Sequence, residues 1–500
     1  MSLRLGFLGI GILLVLVGKL SGFFKDVFLT YFHGISLVTD AYFIAMSVSS
    51  AMYMAIYLSI PIVVVPACAR INSSVEQHEA GAHLGAMLWF YILISALCSV
   101  AAYCMSGFLI GMLSQSPSAE VARNAELYLS VMGLGFVLST VLAFINCMKT
   151  VDGKVMSSYV VPLVNNSFFC ISLILFHGSE QFSYVLWAGV IAWLVLLAFG
   201  GRGLPSLLAS GLKGVFAGRL DRRFLSVFVS AVSAFYIEQA ITVVPIYFSS
   251  SLGEGMASAI GYAAKLNLLF LSIFSIFLTT SIFPMMARLE SVRKIGTIST
   301  LSVSTIRVFL IFFTPIFLYC SVFSDEIVSL VFQRGGFLES DTFIVSSVFS
   351  ILVFSIPFVA LKDVLYRVYF SSGKTFLPLI CSSVALLSAV VLAQGLSSSY
   401  GLVGVAAAVL ISSVINVLLA LWTLWVFEGL NYTGVVLRAI YLPALISCFC
   451  IFIAFPFSGL HHYSWVVGGV TYVVFYLCVA KLLRIEEVGA IFGMAKKFLK

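Results

Sequence analysis

Apolar residues fall in blocks of about twenty or more from end to end of the chain, separated by short polar connections. Fourteen blocks stand out, at roughly 5–32, 41–69, 82–113, 125–147, 156–176, 183–201, 225–249, 258–286, 300–323, 342–361, 376–395, 400–427, 437–456 and 464–483. A helix rises 1.5 Å per residue, so each block is long enough to cross a hydrocarbon layer about 30 Å thick. Only helices satisfy their own backbone there without a closed barrel. The pattern therefore predicts an all-α polytopic membrane protein with about 14 spans. Composition agrees: 61% of the 500 residues are hydrophobic and 9% charged. No soluble core could hide that much apolar surface.

Charge placement orients the spans. With the N-terminus in the cytoplasm, 21 of the 27 Lys and Arg fall on the cytoplasmic side, two outside (Arg123, Arg334) and four within spans (Lys19, Lys25, Lys265, Arg307). Acids such as Asp325, Glu326, Glu339 and Asp341 collect on the outer side. That is the positive-inside bias, and it puts both termini in the cytoplasm. Arg4 before an apolar run imitates a signal peptide, but Lys19 interrupts the run and no A-x-A-like site follows. The first block is expected to be a retained helix. The longest cytoplasmic connection, 202–224, carries Arg202, Lys213, Arg219, Arg222 and Arg223. It reads as a headgroup contact or as a topology anchor, and the plainer anchor is preferred. No extramembrane stretch is long enough for a soluble domain.

Part of the pattern repeats. Pro66-Ala67-Cys68-Ala69-Arg70-Ile71 closes the second block, and Pro284-Met285-Met286-Ala287-Arg288-Leu289 closes the eighth. Spans 1–2 thus resemble spans 7–8 in the same orientation. Transporters use such a parallel repeat to set a substrate site between halves.

Charges inside apolar blocks cost several kcal/mol unless they face a cavity or a partner. Lys19 and Asp26, seven apart, share nearly one helix face, and Lys25 points about 120° away. With Lys265 on the eighth span, three lysines facing a common space would suit a phosphate or pyrophosphate. The plain alternative, ion pairing inside the membrane, stands level with this for Lys25 and Asp26. The cavity reading is preferred for Lys19 and Lys265. Glu238, beside Gln239, is the one acid in the middle of span 7. It reads equally as a coupling-ion site, completed by Ser382, Ser383, Ser412, Ser413 or Asn416, or as a partner for a lysine. Asn146, Asn165 and Asn166 read as helix-packing hydrogen-bonders. Catalytic signals are poor: the six His and ten Cys show no metal spacing, and there is no P-loop and no G-x-S-x-G.

The stretch Gly18-Lys19-Leu20-Ser21-Gly22-Phe23-Phe24-Lys25-Asp26, then Thr39-Asp40-Ala41-Tyr42-Phe43, resembles the opening signature of the MurJ/MviN family. These are lipid II flippases of a larger group that also holds polysaccharide flippases and drug/cation antiporters. Leu330-Val331-Phe332-Gln333-Arg334-Gly335-Gly336-Phe337 is similar to the family's L-F-x-[RY]-G-x-F loop, and Gly261-Tyr262-Ala263-Ala264-Lys265-Leu266 to its Y-Y-A-D-R-L. Pro162, Asn166, Pro357, Ala360, Leu361, Arg367, Tyr369, Thr375, Pro378 and Asn416 also fit, so the resemblance covers nearly the whole chain. It implies that Lys19, Lys25 and Lys265 stand at cavity arginines of the family and Asp26 and Asp40 at family acids, with all five among the substrate-binding residues. The family's arginine pair in span 2 falls near Tyr53 and Met54, and Ala264 replaces an acid. Lysine keeps the charge but loses the bidentate fork.

The resemblance further implies two six-span lobes, 1–201 and 225–428, joined by the 202–224 linker. Residues 429–500 would add spans 13 and 14 and a cytoplasmic tail. The function implied is translocation of an undecaprenyl-pyrophosphate-linked peptidoglycan precursor, lipid II, across the bacterial cytoplasmic membrane by alternating access. No catalysis, cofactor, metal or nucleic-acid partner is expected, and a monomer among membrane lipids would suffice. Membrane potential, or Na+ or H+ at a site such as Glu238 and Asn416, would reset the cycle. The alternatives are a flippase for another polyprenyl-linked polysaccharide unit and a cation-coupled antiporter. An antiporter would place acids, not lysines, in the first half's cavity. A membrane glycosyl- or acyltransferase would need a longer outer loop than 324–341 or an intramembrane His/Asp site.

Overall fold

A computed structural model describes residues 2–73, 80–154, 156–216, 220, 222–277, 295–371, 376–429, 432, 434, 443–448 and 464–482. The described chain is helical, with no strand. Its first part comprises α1 (Ser2–His33), α2 (Leu37–Ser49), α3 (Ala55–Ser73), α4 (Ala80–Cys104), α5 (Ser106–Leu113), α6 (Ala119–Val151), α7 (Met156–Leu175), α8 (Phe182–Gly200) and α9 (Leu204–Phe216). There follow α10 (Arg222–Ser249), α11 (Met256–Phe277), α12 (Ile295–Val322), α13 (Ser324–Phe332), α14 (Glu339–Leu352), α15 (Ser355–Ser371), α16 (Phe376–Glu428) and α17 (Ser464–Leu482). Nine helices among the described residues are long and apolar enough to cross a membrane. Helices lie on the predicted spans in order. The span at 437–456 falls mostly outside the described residues, as do Pro284–Leu289, Arg219, His461 and His462.

Three predicted outlines change. The block at 82–113 is not one helix: it breaks at Met105, which caps α5 with φ −119° and ψ 19°. The block at 342–361 becomes α14 and α15, broken at Val353 and Phe354. The connection at 202–224 contains a helix, α9. The predicted boundary between 376–395 and 400–427 appears inside α16 as a kink at Gly401, with φ 57° and ψ −136°.

By contacts the chain forms two compact units, Met1–Lys265 with Phe332–Asp341, and Leu266–Val331 with Thr342–Lys500. This division follows packing, whereas the lobes expected from the sequence follow the repeat.

In the first unit α6 is the packing centre, touching α2, α3, α4 and α8. Ile56, Ile60, Val64, Leu88, Tyr91 and Phe144 meet Phe224 and Phe228 in its core. α2 starts on a reciprocal Ser36/Thr39 capping box. It continues into α3 through a π-turn, Ser50–Met54. Such a turn frees carbonyls and bends the helix, so outside donors are needed. α10 supplies one: Tyr236 OH donates to Met52 O at 2.9 Å. Ser50 Oγ in turn donates to Gln239 Oε1 at 2.7 Å.

α9 lies against α4 through glycines. A Cβ added to Gly211 would come under 3.0 Å from the Gly85 backbone, and one on Gly214 equally close to Ala82. Trp89 Nε1 donates to Leu208 O and Ser210 Oγ to Gly81 O, each at 3.0 Å. Gly211→Val is therefore expected to cost about 1–3 kcal/mol by overpacking, seen as a lowered thermal midpoint in detergent. Gly111→Ala, where an added Cβ meets nothing within 4 Å, is the neutral control.

In the second unit Pro315 interrupts α12 and leaves Ile311 O without its usual i+4 donor. Tyr476 OH of α17 donates to Ile311 O at 2.7 Å, and Tyr472 OH to Pro315 O at 3.0 Å. Both tyrosines are buried, so the proline is tolerated because another helix replaces what it removes.

Candidate functional site

The charged segment of α1 is shaped by its neighbour α7. Gly18 and Gly22 leave α1 smooth where Pro162 and Asn166 approach it. Ser21 Oγ donates to Gly18 O at 2.8 Å and accepts from Asn166 Nδ2 at 2.9 Å. One turn on, Lys25 continues this stripe. Its Nζ lies 5.0 Å from the Phe169 ring centre and 6.0 Å from that of Tyr42. It donates to Tyr42 OH at 3.3 Å and sits 3.7 Å from Asp26 Oδ1. An ammonium held between aromatic faces and one carboxylate keeps N–H donors for an incoming anion. Asp26 is only 6% exposed, and its Oδ1 accepts no hydrogen bond from any described residue. The sequence left cavity binding and ion pairing open for Lys25 and Asp26; the structure shows the pair formed.

Lys19 is exposed, one helical step off the stripe that faces α7. Lys265 is half-buried on α11, three residues beyond the fully buried Tyr262. Neither lysine forms an ion pair with a described residue, and both belong to the first unit.

Asp40 is engaged by the fold. Its carboxylate accepts from Gly255 N at 2.5 Å, Ser258 N at 2.7 Å and Ser258 Oγ at 2.8 Å. It thus closes the N-terminus of α11 from α2, where a negative charge meets the positive end of the helix dipole. Nearby, Tyr262 OH donates to Gly34 O at 3.1 Å and Gly336 N to Tyr31 O at 2.7 Å. Gly34 takes φ +53°, with the Gly336 backbone where a side chain would go. A cavity of about 250 Å³ opens beside this seam, lined by Asp40, Ile44, Ser118, Ser250 and Glu254 among others.

Glu238 is exposed on α10 in the first unit, between Tyr236 and Gln239, which tie that helix to the π-turn. Asn416 is buried in the second unit and accepts from Tyr366 OH at 2.6 Å, while Ser382 meets the same hydroxyl at 2.9 Å. Ser383, Ser412 and Ser413 give their hydroxyls to carbonyls of their own helix. Of the groups expected to complete a site at Glu238, Ser382 and Asn416 share the Tyr366 hydroxyl. Among the described residues no three His, Cys, Asp or Glu come together to hold a metal ion.

Phe169 and Tyr366 had no signal in the sequence beyond their aromaticity. Tyr42 was visible only as part of a motif. Tyr53, near which the resemblance placed the family's arginine pair, is buried against Ser139 and Thr140, with its ring stacked 4.3 Å from Phe136.

Among the described residues the arrangement offers cations for an anion. Comparison with known proteins points the same way. A probable lipid II flippase MurJ of Aquifex aeolicus is 27% identical over 383 residues, covering 73% of this chain and 72% of its own length. Its counterpart from Buchnera aphidicola subsp. Schizaphis graminum is 22% identical over 453 residues, covering 86% and 85%. Among solved structures, a lipid II flippase MurJ in an inward closed conformation matches with a TM-score of 0.79 at 19% identity, over 95% of this chain and 98% of that one. An inward-facing multidrug resistance MATE family transporter of the MOP superfamily gives 0.69 at 13%, over 83% and 96%. At these identities the structural likeness speaks for the fold. The sequence model described as "Lipid II flippase MurJ" matches residues 29–476, nearly the whole chain. On that match, the chain belongs to the MurJ family of lipid II flippases.

Proposed function

We propose that this chain moves lipid II across the bacterial cytoplasmic membrane, with Lys19, Lys25 and Lys265 gripping the diphosphate. The observation that carries the reading is Lys25: an ammonium kept largely from water, on a helix of a membrane-spanning fold, with one carboxylate beside it among the described residues. Asp26 stays beside Lys25, and a diphosphate takes the N–H donors that the ammonium keeps. With both termini in the cytoplasm, the lysines receive the headgroup from the inside. The polyprenyl tail stays in lipid throughout. The chain works as a monomer. Moving one charge across the potential is worth about 2.3 kcal/mol per 100 mV, enough to bias the return step. Na+ or H+ at Glu238 or Asn416 is the alternative drive.

The test is transport by purified protein in liposomes and rescue of cells depleted of their lipid II flippase. Lys19→Ala and Lys265→Ala are each expected to lower transport at least about tenfold, the equivalent of one lost charge contact of about 1.4 kcal/mol. Wild-type transport by both variants would remove the basis for the grip. Rescue by the native chain separates lipid II from another polyprenyl-linked glycan.

A further inference from the structure

We infer that Asn166 is a positioning residue for the cationic helix: its bond to Ser21 fixes the rotation and register of α1 on α7, and so the places of Lys19 and Lys25. The inference rests on reading those lysines as the diphosphate grip.

Four contacts define the seam. Gly18 faces Pro162, with an ideal Cβ 3.7 Å from Pro162 Cβ, and Gly22 faces Asn166, 3.5 Å from Nδ2. Lys25 sits over Phe169, and Phe32 stacks on His177 with centroids 5.8 Å apart. The partners advance in step, so the two helices run parallel in one register.

Most of this seam is smooth. Gly18 and Gly22 give close approach but no direction, and an apolar contact in lipid has little to resist sliding or rotation. The hydrogen bond is directional. Asn166 Nδ2 donates to Ser21 Oγ, and Ser21 Oγ spends its own proton on Gly18 O, so the hydroxyl is committed on both sides. Asn165 donates the other way, to Gly189 O of α8, at 3.5 Å. Adjacent asparagines therefore fasten α7 to α8 behind it and to α1 in front.

The place of the fastening matters. Ser21 lies between the two lysines of α1, and a shift of one residue turns a helix by about 100°. Releasing the bond lets α1 rotate Lys19 away from its present face and lift Lys25 from the Phe169 ring.

The test measures transport and geometry separately. Asn166→Ala, Ser21→Ala and the double variant are each expected to lower lipid II turnover by the same factor, about 3- to 20-fold for a membrane-embedded side-chain hydrogen bond. The losses should not add, because one bond is lost in all three. The swap Ser21→Asn with Asn166→Ser keeps a donor and an acceptor and is expected to restore turnover. Geometry is read by an impermeant maleimide on Leu20→Cys, above the background of the native cysteines. Asn166→Ala is expected to change its labelling rate at least about threefold. Unchanged turnover, unchanged labelling, or a lowered thermal midpoint as the sole effect would each reduce Asn166 to ordinary packing and overturn the inference. If labelling shifts while Lys19→Ala and Lys265→Ala still transport normally, the diphosphate grip has failed and the fastening stands.

Discussion

Lys25→Met is expected to abolish lipid II transport, by about 100-fold or more, while Lys25→Arg retains most of it. Methionine keeps the length of the side chain and its packing against Phe169 but removes the ammonium. Two losses follow. The diphosphate loses one of the three cations proposed to grip it, and Asp26 loses its counter-charge. Asp26 exposes 8% of its side chain, so stranding it costs about 3–5 kcal/mol. A fall in transport alone would leave these two effects mixed. Lys25→Met with Asp26→Asn separates them, because the neutral amide no longer needs a cation. The double variant is expected to regain the thermal midpoint of the native chain and to stay inactive. Recovery of transport in the double variant would mean that Lys25 serves only to neutralise Asp26. Arginine at 25 should work because it keeps the charge and can stack on Phe169.

Asp40→Asn is expected to lower stability by about 2–4 kcal/mol, with the loss appearing in thermal unfolding before it appears in substrate affinity. The carboxylate takes three donors from the start of α11 and is 3% exposed. Charge-assisted bonds of this kind contribute about 1.5–3 kcal/mol each. An asparagine must turn its NH2 toward Gly255 N or Ser258 N, setting donor against donor and losing the charge that the helix end attracts. The resemblance to the family grouped Asp40 with the substrate residues. Unchanged thermal unfolding with weakened lipid II binding would return it to that group.

The spans were legible because long apolar blocks admit few structures in lipid. Breaks inside them were not. Nothing in Cys104-Met105-Ser106 marks a helix end, and the π-turn at Ser50–Met54 depends on Tyr236 and Gln239 of a distant helix. α9 was read as a connection because its charges drew attention, whereas Gly211 and Gly214 show their purpose only when α4 lies opposite. At the site, Lys25 beside Asp26 was plain from two adjacent letters. The rings that seat Lys25 come from α2 and α7, and the donors on Asp40 come from α11. Such partners are set by tertiary packing, which a single sequence records only as scattered residue types.

The segment Phe332–Asp341 packs with the first unit although the chain on both sides of it packs with the second. Its Gly336 bonds to Tyr31, far upstream. Domains that fold during synthesis usually do so in order from the N-terminus. Here the earliest-made unit lacks ten of its residues until the ribosome has passed position 341. Until then Tyr31 O waits for a donor that has not been translated.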